Sequence, residues 1–221
     1  MNSGSMARRT AIVMGKGKLA VKVAAWFQHS SDYELVAVVP NVPEATWTVS
    51  LKDWAVQHDV ASINSGLVSG IRAVREPGWR VDLVFSVTYN QILKPWFLER
   101  THTALNIHNG PLPHYRGVNP INWALKNGER QHGVTIHEMM PGIDDGPILA
   151  QRLFSIDPDV DEVVDVYERC LNCGWTLFEE LMPRLWETEA TPQDERLARY
   201  YGQQDFELLG ERRFFTRAES K

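Results

Sequence analysis

Residues 10–15, Thr-Ala-Ile-Val-Met-Gly, form a short apolar run that ends in glycine. Lys16-Gly17-Lys18 follow, and then Leu19, Ala20, Val23, Ala24, Trp26 and Phe27 recur at helical spacing. Apolar character returns over Tyr33 to Val39. A buried strand, an amphipathic helix and a second strand in that order predict a β-α-β unit with a parallel strand pair and a right-handed crossover. A chain built on such a unit is an open α/β sheet, mostly parallel in its first half.

The pattern continues in kind. Ser50-Leu-Lys-Asp53 has the Ser-x-x-acid form of a helix start ahead of Trp54, Ala55 and Val56. It predicts a helix near 50–58, with another near 66–75. Val81 to Val87 reads as a strand, residues 91–100 as helical, and Ala104 to His108 as a fourth strand. A loop over 109–120 leads to a short helix at 120–127 that stops at Asn127-Gly128. Strands are expected at 133–140 and 147–156, on either side of Pro141 to Pro147. The longest helical pattern runs from Asp161 to Glu187 with Val163, Val164, Tyr167, Leu171, Trp175, Phe178 and Leu181 inward, and Pro183 should bend or end it. Residues 189–221 are polar, with Tyr200-Tyr201 and Phe214-Phe215 as candidate docking points.

The 221 residues carry 23 Lys and Arg against 28 Asp and Glu, a net charge of -5. That balance disfavours a protein that lives on the nucleic-acid backbone, where affinity comes from Lys and Arg. Two cysteines, Cys170 and Cys173, are too few for a secreted disulfide framework. No apolar run approaches the roughly 18 residues that suggest a bilayer span, and no signal peptide is recognised. The expectation is a cytoplasmic protein with neither membrane nor nucleic-acid partners.

Two stretches carry the chemistry. In Leu105-Asn-Ile-His108-Asn-Gly-Pro-Leu-Pro113, Asn106 and His108 are two apart, so on a strand they share a face at the end of an otherwise apolar segment. Buried polar side chains need partners, and ligands of open α/β sheets gather at carboxyl strand ends. The plain alternative is that both bond only to the following loop. In Pro141-Gly-Ile-Asp-Asp-Gly-Pro147, either carboxylate can pair with a histidine and fix its tautomer. An ordinary turn also uses Asp and Gly.

Taken together, Asn106-x-His108, Pro111-Leu-Pro-x-Tyr-Arg-Gly117, Gly133-Val-Thr-Ile-His137 and Gly142-Ile-Asp144-x-Gly146-Pro147-Ile148 resemble the 10-formyltetrahydrofolate-dependent formyltransferases. The resemblance is close over 81–155 and looser over 10–80. It implies a Rossmann-like formyltransferase fold, α/β with a mostly parallel twisted sheet and flanking helices. It also implies a tail over 1–9 that is disordered or expression-derived, a catalytic domain over 10–188, and an extension over 189–221 that packs on the domain or at a dimer interface. By the same resemblance Asn106, His108 and Asp144 are the catalytic trio, Asp144 being chosen over Asp145 because the family reads Asp-x-Gly. Val87, Tyr89, Gln91, Ile92 and Leu93 would contact the folate, with His137 and Ile143 on the other side. The implied co-substrate is N10-formyltetrahydrofolate, without a metal.

Three acceptors compete. The methionyl-tRNA enzyme normally carries a further C-terminal barrel, for which 189–221 is too short. Phosphoribosylglycinamide formyltransferase normally has Gly-Ser-Gly-x-x-Ser/Thr-Asn after its first strand, where this chain has Gly15-Lys-Gly-Lys-Leu19. The sugar-nucleotide enzymes resemble this chain better, both there and over Tyr115 to Glu129. The expected acceptor is thus a nucleotide-linked amino sugar, with Trp47 as a candidate to stack on the base or simply to shield a loop. A deformylase with water as acceptor usually has an N-terminal regulatory domain. A non-catalytic folate-binding module would have lost one of the trio. A dinucleotide oxidoreductase would need the full glycine fingerprint, and Gly15-x-Gly17 is only part of one. Cys170-x-x-Cys173 lacks the further ligands of a zinc site. His132 and His137 share no clear partner, and a homodimer through the C-terminal segments remains an expectation.

Overall fold

The computed structural model describes residues 7–210. The chain divides between Ala104 and Leu105 into two compact units. In the first, β1 (Arg9–Gly15), α1 (Gly17–His29) and β2 (Tyr33–Pro40) form the expected β-α-β unit, with β1 and β2 paired in parallel. Ala11 to Met14 are fully buried, and α1 turns Leu19, Ala20, Val23, Ala24 and Phe27 inward. Phe27 sits edge-on to Tyr33, with ring centroids 5.2 Å apart. Such burial of an aromatic side chain is worth on the order of 3 kcal/mol.

α2 (Leu51–Gln57) starts where the Ser-x-x-acid signal lies. Ser50 Oγ accepts the Asp53 amide at 2.9 Å, and Oε1 of Glu44 accepts the Leu51 and Lys52 amides. β3 (Val81–Val87) runs parallel to β1 on its other side. Gly15 closes the turn after β1 with φ +125°, and a Cβ there would lie 1.8 Å from the Val87 carbonyl oxygen. Only glycine permits this approach.

Two expected helices are not formed. Residues 66–75 hold two short 3-10 turns, Val68–Gly70 and Arg72–Arg75, because Gly66 and Gly70 interrupt the run. Over 91–100 only α3 (Pro95–Leu98) is helical. The residue before a proline is pushed out of the helical region, and Lys94 is accordingly extended, with ψ 150°.

β4 (Thr101–His108) begins earlier than its apolar part and runs across the division of the chain. In the second unit β5 (Arg116–Gly117) precedes α4 (Pro120–Lys126), then β6 (Gln131–Glu138) and β7 (Ile148–Ser155). β6 is antiparallel to both β4 and β7. α5 (Val163–Leu181) buries Val163, Val166, Cys170, Leu171, Leu177, Phe178 and Leu181, and gives way to a 3-10 turn over Met182–Glu187 at Pro183. β8 (Tyr200–Tyr201) pairs in parallel with β5. Tyr201 stacks between Tyr115 and Trp123, with centroids 5.6 and 4.6 Å away. Phe214 and Phe215 lie outside the described residues.

Candidate active site

β4 presents its polar pair at the carboxyl end. The register sets Asn106 opposite His137 and His108 opposite Thr135 on β6. Cross-strand neighbours on one face touch, and the Asn106 amide donates to His137 Nε2 at 3.2 Å. His137 Nδ1 donates to the Glu138 carbonyl oxygen at 2.8 Å. With Nδ1–H committed there, Nε2 is the acceptor whenever the ring is neutral. His108 Nε2 donates to the Tyr115 carbonyl oxygen at 2.6 Å, which leaves Nδ1 directed at the loop after β6.

Asp144, from that loop, completes the group. Its Oδ2 lies 3.5 Å from His108 Nδ1 and its Oδ1 lies 3.4 Å from His137 Nε2. Oδ2 also accepts the Gly117 amide at 2.9 Å. Gly117 has φ +94°, and a Cβ there would lie 2.1 Å from the Tyr201 carbonyl oxygen. Asp144 itself is left-handed, with φ +52°, a conformation that Asp tolerates better than most residues. Burial works against its charge. The charge of His108, the hydrogen bond and charge of His137 and the Gly117 amide outweigh it and hold the carboxyl well below its usual range. Asp144 therefore stays ionised at neutral pH beside two imidazoles.

Asn106, His108 and Asp144 thus lie in one network, with His137 as the link between the amide and the carboxylate. No hydrogen bond or ion pair joins Asp145 to either imidazole. Ile143 is exposed beside Asp144. His132, on the same strand as His137, is fully buried, with Nε2 donating to the Asn109 carbonyl oxygen at 2.9 Å. Burial pushes its pKa down to about 4.

The other named residues belong to the first unit. Val87 and Leu93 are buried, whereas Ile92 is exposed. Tyr89 gives its hydroxyl to the Gly66 carbonyl oxygen at 2.5 Å, and burial raises its pKa to about 12. Gln91 donates to Asn90 Oδ1. The loop is tied down by buried Asn41, which donates to the Thr88 carbonyl oxygen at 3.0 Å and accepts the Asn90 amide at 3.2 Å. Asn41 carries no motif, and only its burial reveals it. Among the described residues no group of His, Cys, Asp and Glu could hold a metal ion, and no helix is long and apolar enough to cross a membrane.

A Rossmann-like scaffold with an amide, two imidazoles and a buried carboxylate at a strand end is equipped for acyl transfer to a nucleophile. The chain belongs to the formyl transferase family, whose model matches residues 10–181. It is similar to the N-formyltransferase from Helicobacter canadensis solved with folinic acid and dTDP-3-aminofucose: 26% identity, TM-score 0.74, covering 90% of this chain and 72% of that one. The formyltransferase PseJ from Anoxybacillus kamchatkensis, solved with UDP-4,6-dideoxy-4-formamido-L-AltNAc and tetrahydrofolate, shares the fold at 24% identity and TM-score 0.62, over 90% of this chain and 88% of that one. Glycinamide ribonucleotide transformylase 1 from Symbiobacterium toebii does so at 21% identity and TM-score 0.66, over 87% and 96%. The fold class read from the sequence is the fold of these structures.

Proposed function

We propose that this chain transfers the formyl group of N10-formyltetrahydrofolate to the primary amine of a nucleotide-linked amino sugar. The observation that carries the reading is the Asp144 carboxyl group within 3.5 Å of His108 Nδ1, in a network that includes Asn106. The Helicobacter canadensis relative, solved with a folate and a dTDP-linked amino sugar, supports this choice of partners.

The folate would present a formyl carbon bonded to its N10. Attack by the neutral amine forms a carbon–nitrogen bond and places negative charge on the formyl oxygen. The second N–H of the Asn106 amide donates to that oxygen, and a protonated His108 joins it when its Nε2–H turns from the Tyr115 carbonyl, each worth about 3 kcal/mol in a preorganised site. Asp144 orients the imidazole and receives the amine proton, directly or through water. The intermediate collapses with cleavage of the bond to N10, which takes up a proton as tetrahydrofolate leaves. The first-unit residues suit the carrier: the Thr88 to Asn90 backbone is held by Asn41, and Ile92 offers an exposed apolar side chain. A bound carrier and acceptor gain the usual benefit of proximity.

The test is incubation with N10-formyltetrahydrofolate and a panel of dTDP- and UDP-linked amino sugars. Tetrahydrofolate release together with formylated sugar-nucleotide is expected. Formylation of phosphoribosylglycinamide alone would overturn the sugar assignment, and no turnover with any amine would overturn the activity.

A further inference from the structure

Gln193, outside the family-matched span, touches the loop that carries Asp144. Arg116, buried in β5, gives Nη1 and Nη2 to the two carboxylate oxygens of Glu195 at 3.0 and 2.7 Å. It also gives Nε and Nη2 to Oε1 of Gln193 at 3.0 and 2.8 Å. On its other side Gln193 donates from Nε2 to the carbonyl oxygens of Asp144, at 2.9 Å, and Gly146, at 2.7 Å.

The Gln193 amide is fully committed. A glutamine amide offers two N–H donors and an oxygen with two lone pairs, and each is used. Its orientation is unique, because a flipped amide would set NH2 against the guanidinium and oxygen against two carbonyls. The segment around it is anchored independently. Thr191 exchanges two backbone hydrogen bonds with Ile148, each 2.8 Å, and β8 pairs with β5. The next residue after Arg116 is Gly117, whose amide holds Asp144 Oδ2. The backbone and the carboxylate of Asp144 are therefore gripped from the same strand and side chain.

We propose that Gln193, oriented by Arg116 and Glu195, is a positioning residue for Asp144. It sets the loop so that the carboxylate meets Gly117, His108 and His137 together. This rests on Asp144 acting as the carboxylate of the transfer site. A site left loose by about 1 Å forfeits much of its rate. Nothing in the local sequence reveals the role, since Thr191-Pro-Gln-Asp194 reads as polar tail.

Gln193→Glu separates the two halves of the contact. The carboxylate still pairs with Arg116 but has no donor for the two carbonyls. Two readouts are taken, steady-state kinetics and amide hydrogen exchange by NMR. kcat is expected to fall about 10–30-fold while both KM values change less than about 3-fold, the size of losing two loop-setting hydrogen bonds. The Gly117 amide is expected to exchange at least roughly 10-fold faster, while the Arg116 and Val118 amides, bonded to Arg199 and Tyr201, keep their protection. Gln193→Ala should give the same signature and serves if Gln193→Glu does not fold. An unchanged kcat with unchanged Gly117 protection would overturn the proposal, whatever the loss in melting temperature. So would failure of both variants to fold, since Gln193 would then serve general stability. If the unaltered protein transfers no formyl group, the functional reading fails, while Gly117 exchange still decides whether Gln193 sets the loop.

Discussion

The Nε2 of His137 lies 3.4 Å from Oδ1 of Asp144. The same nitrogen accepts the Asn106 amide at 3.2 Å. The two partners want opposite things of it: Asn106 needs a lone pair, Asp144 a proton. With Nδ1 bound to a carbonyl oxygen, neutral His137 serves Asn106, and the charged form serves Asp144. His137 thereby couples the donor side of the site to its carboxylate side, and it is more than a wall residue for the folate.

Replacing His137 by Phe should free the Asn106 amide and deprive Asp144 of one partner. Loss of a hydrogen bond to a charged group costs about 1.5–3 kcal/mol, so kcat should drop about 10–100-fold with smaller changes in KM. Steady-state kinetics at several pH values checks this. An unchanged kcat would remove His137 from the network.

His108→Asn and Asp144→Asn should each lower turnover by about 100-fold or more. Folate binding, measured by calorimetry, should survive in both. Asp144→Asn has a second signature. A carboxyl held low in the folded state adds stability that is present above its unfolded value near 3.8 and is lost as pH falls through the folded value. Unfolding titrations should show the largest gap between the unaltered protein and Asp144→Asn near neutrality, narrowing in strong acid.

His132 governs a higher pH window. Its folded pKa of about 4 lies below the ordinary 6.5. The unfolded chain binds the proton first as pH falls, so stability declines from about pH 6.5 to about pH 4, by roughly 3 kcal/mol at most. His132→Gln keeps a donor for the Asn109 carbonyl and removes the titration. Urea midpoints compared at the two ends of the window should differ less in the variant.

Gly15→Ala should destabilise the fold by about 2–4 kcal/mol, because the added methyl meets the Val87 carbonyl oxygen in a left-handed backbone. Urea unfolding measures the loss. A neutral outcome would show that the turn can open without cost.

What the sequence disclosed follows from how far each interaction reaches along the chain. The β-α-β unit is legible because Leu19, Ala20, Val23, Ala24 and Phe27 repeat with the helix and the flanking runs are apolar. Asn106 and His108 stand out because a polar pair on an apolar strand needs an explanation. The helix expected at 91–100 shrinks to one turn because Pro95 acts on the residue before it, an effect that apolar spacing does not register. β5 and β8 have two residues each, too few for any periodicity, and both rely on a distant partner. Gln193 looks like surface polarity until Asp144, far away in sequence, is seen against it.

The β5–β8 pairing has a consequence for recombining relatives. A chimera that crosses over after α5 imports someone else's Tyr200-Tyr201 ribbon and the glutamine ahead of it. Arg116 and Gly117 would then face foreign partners, even though every residue of the amide–imidazole–carboxylate set was kept. Swapped tails should therefore be inherited together with the strand they dock on, or acceptor preference and rate will change for reasons unrelated to the acceptor pocket.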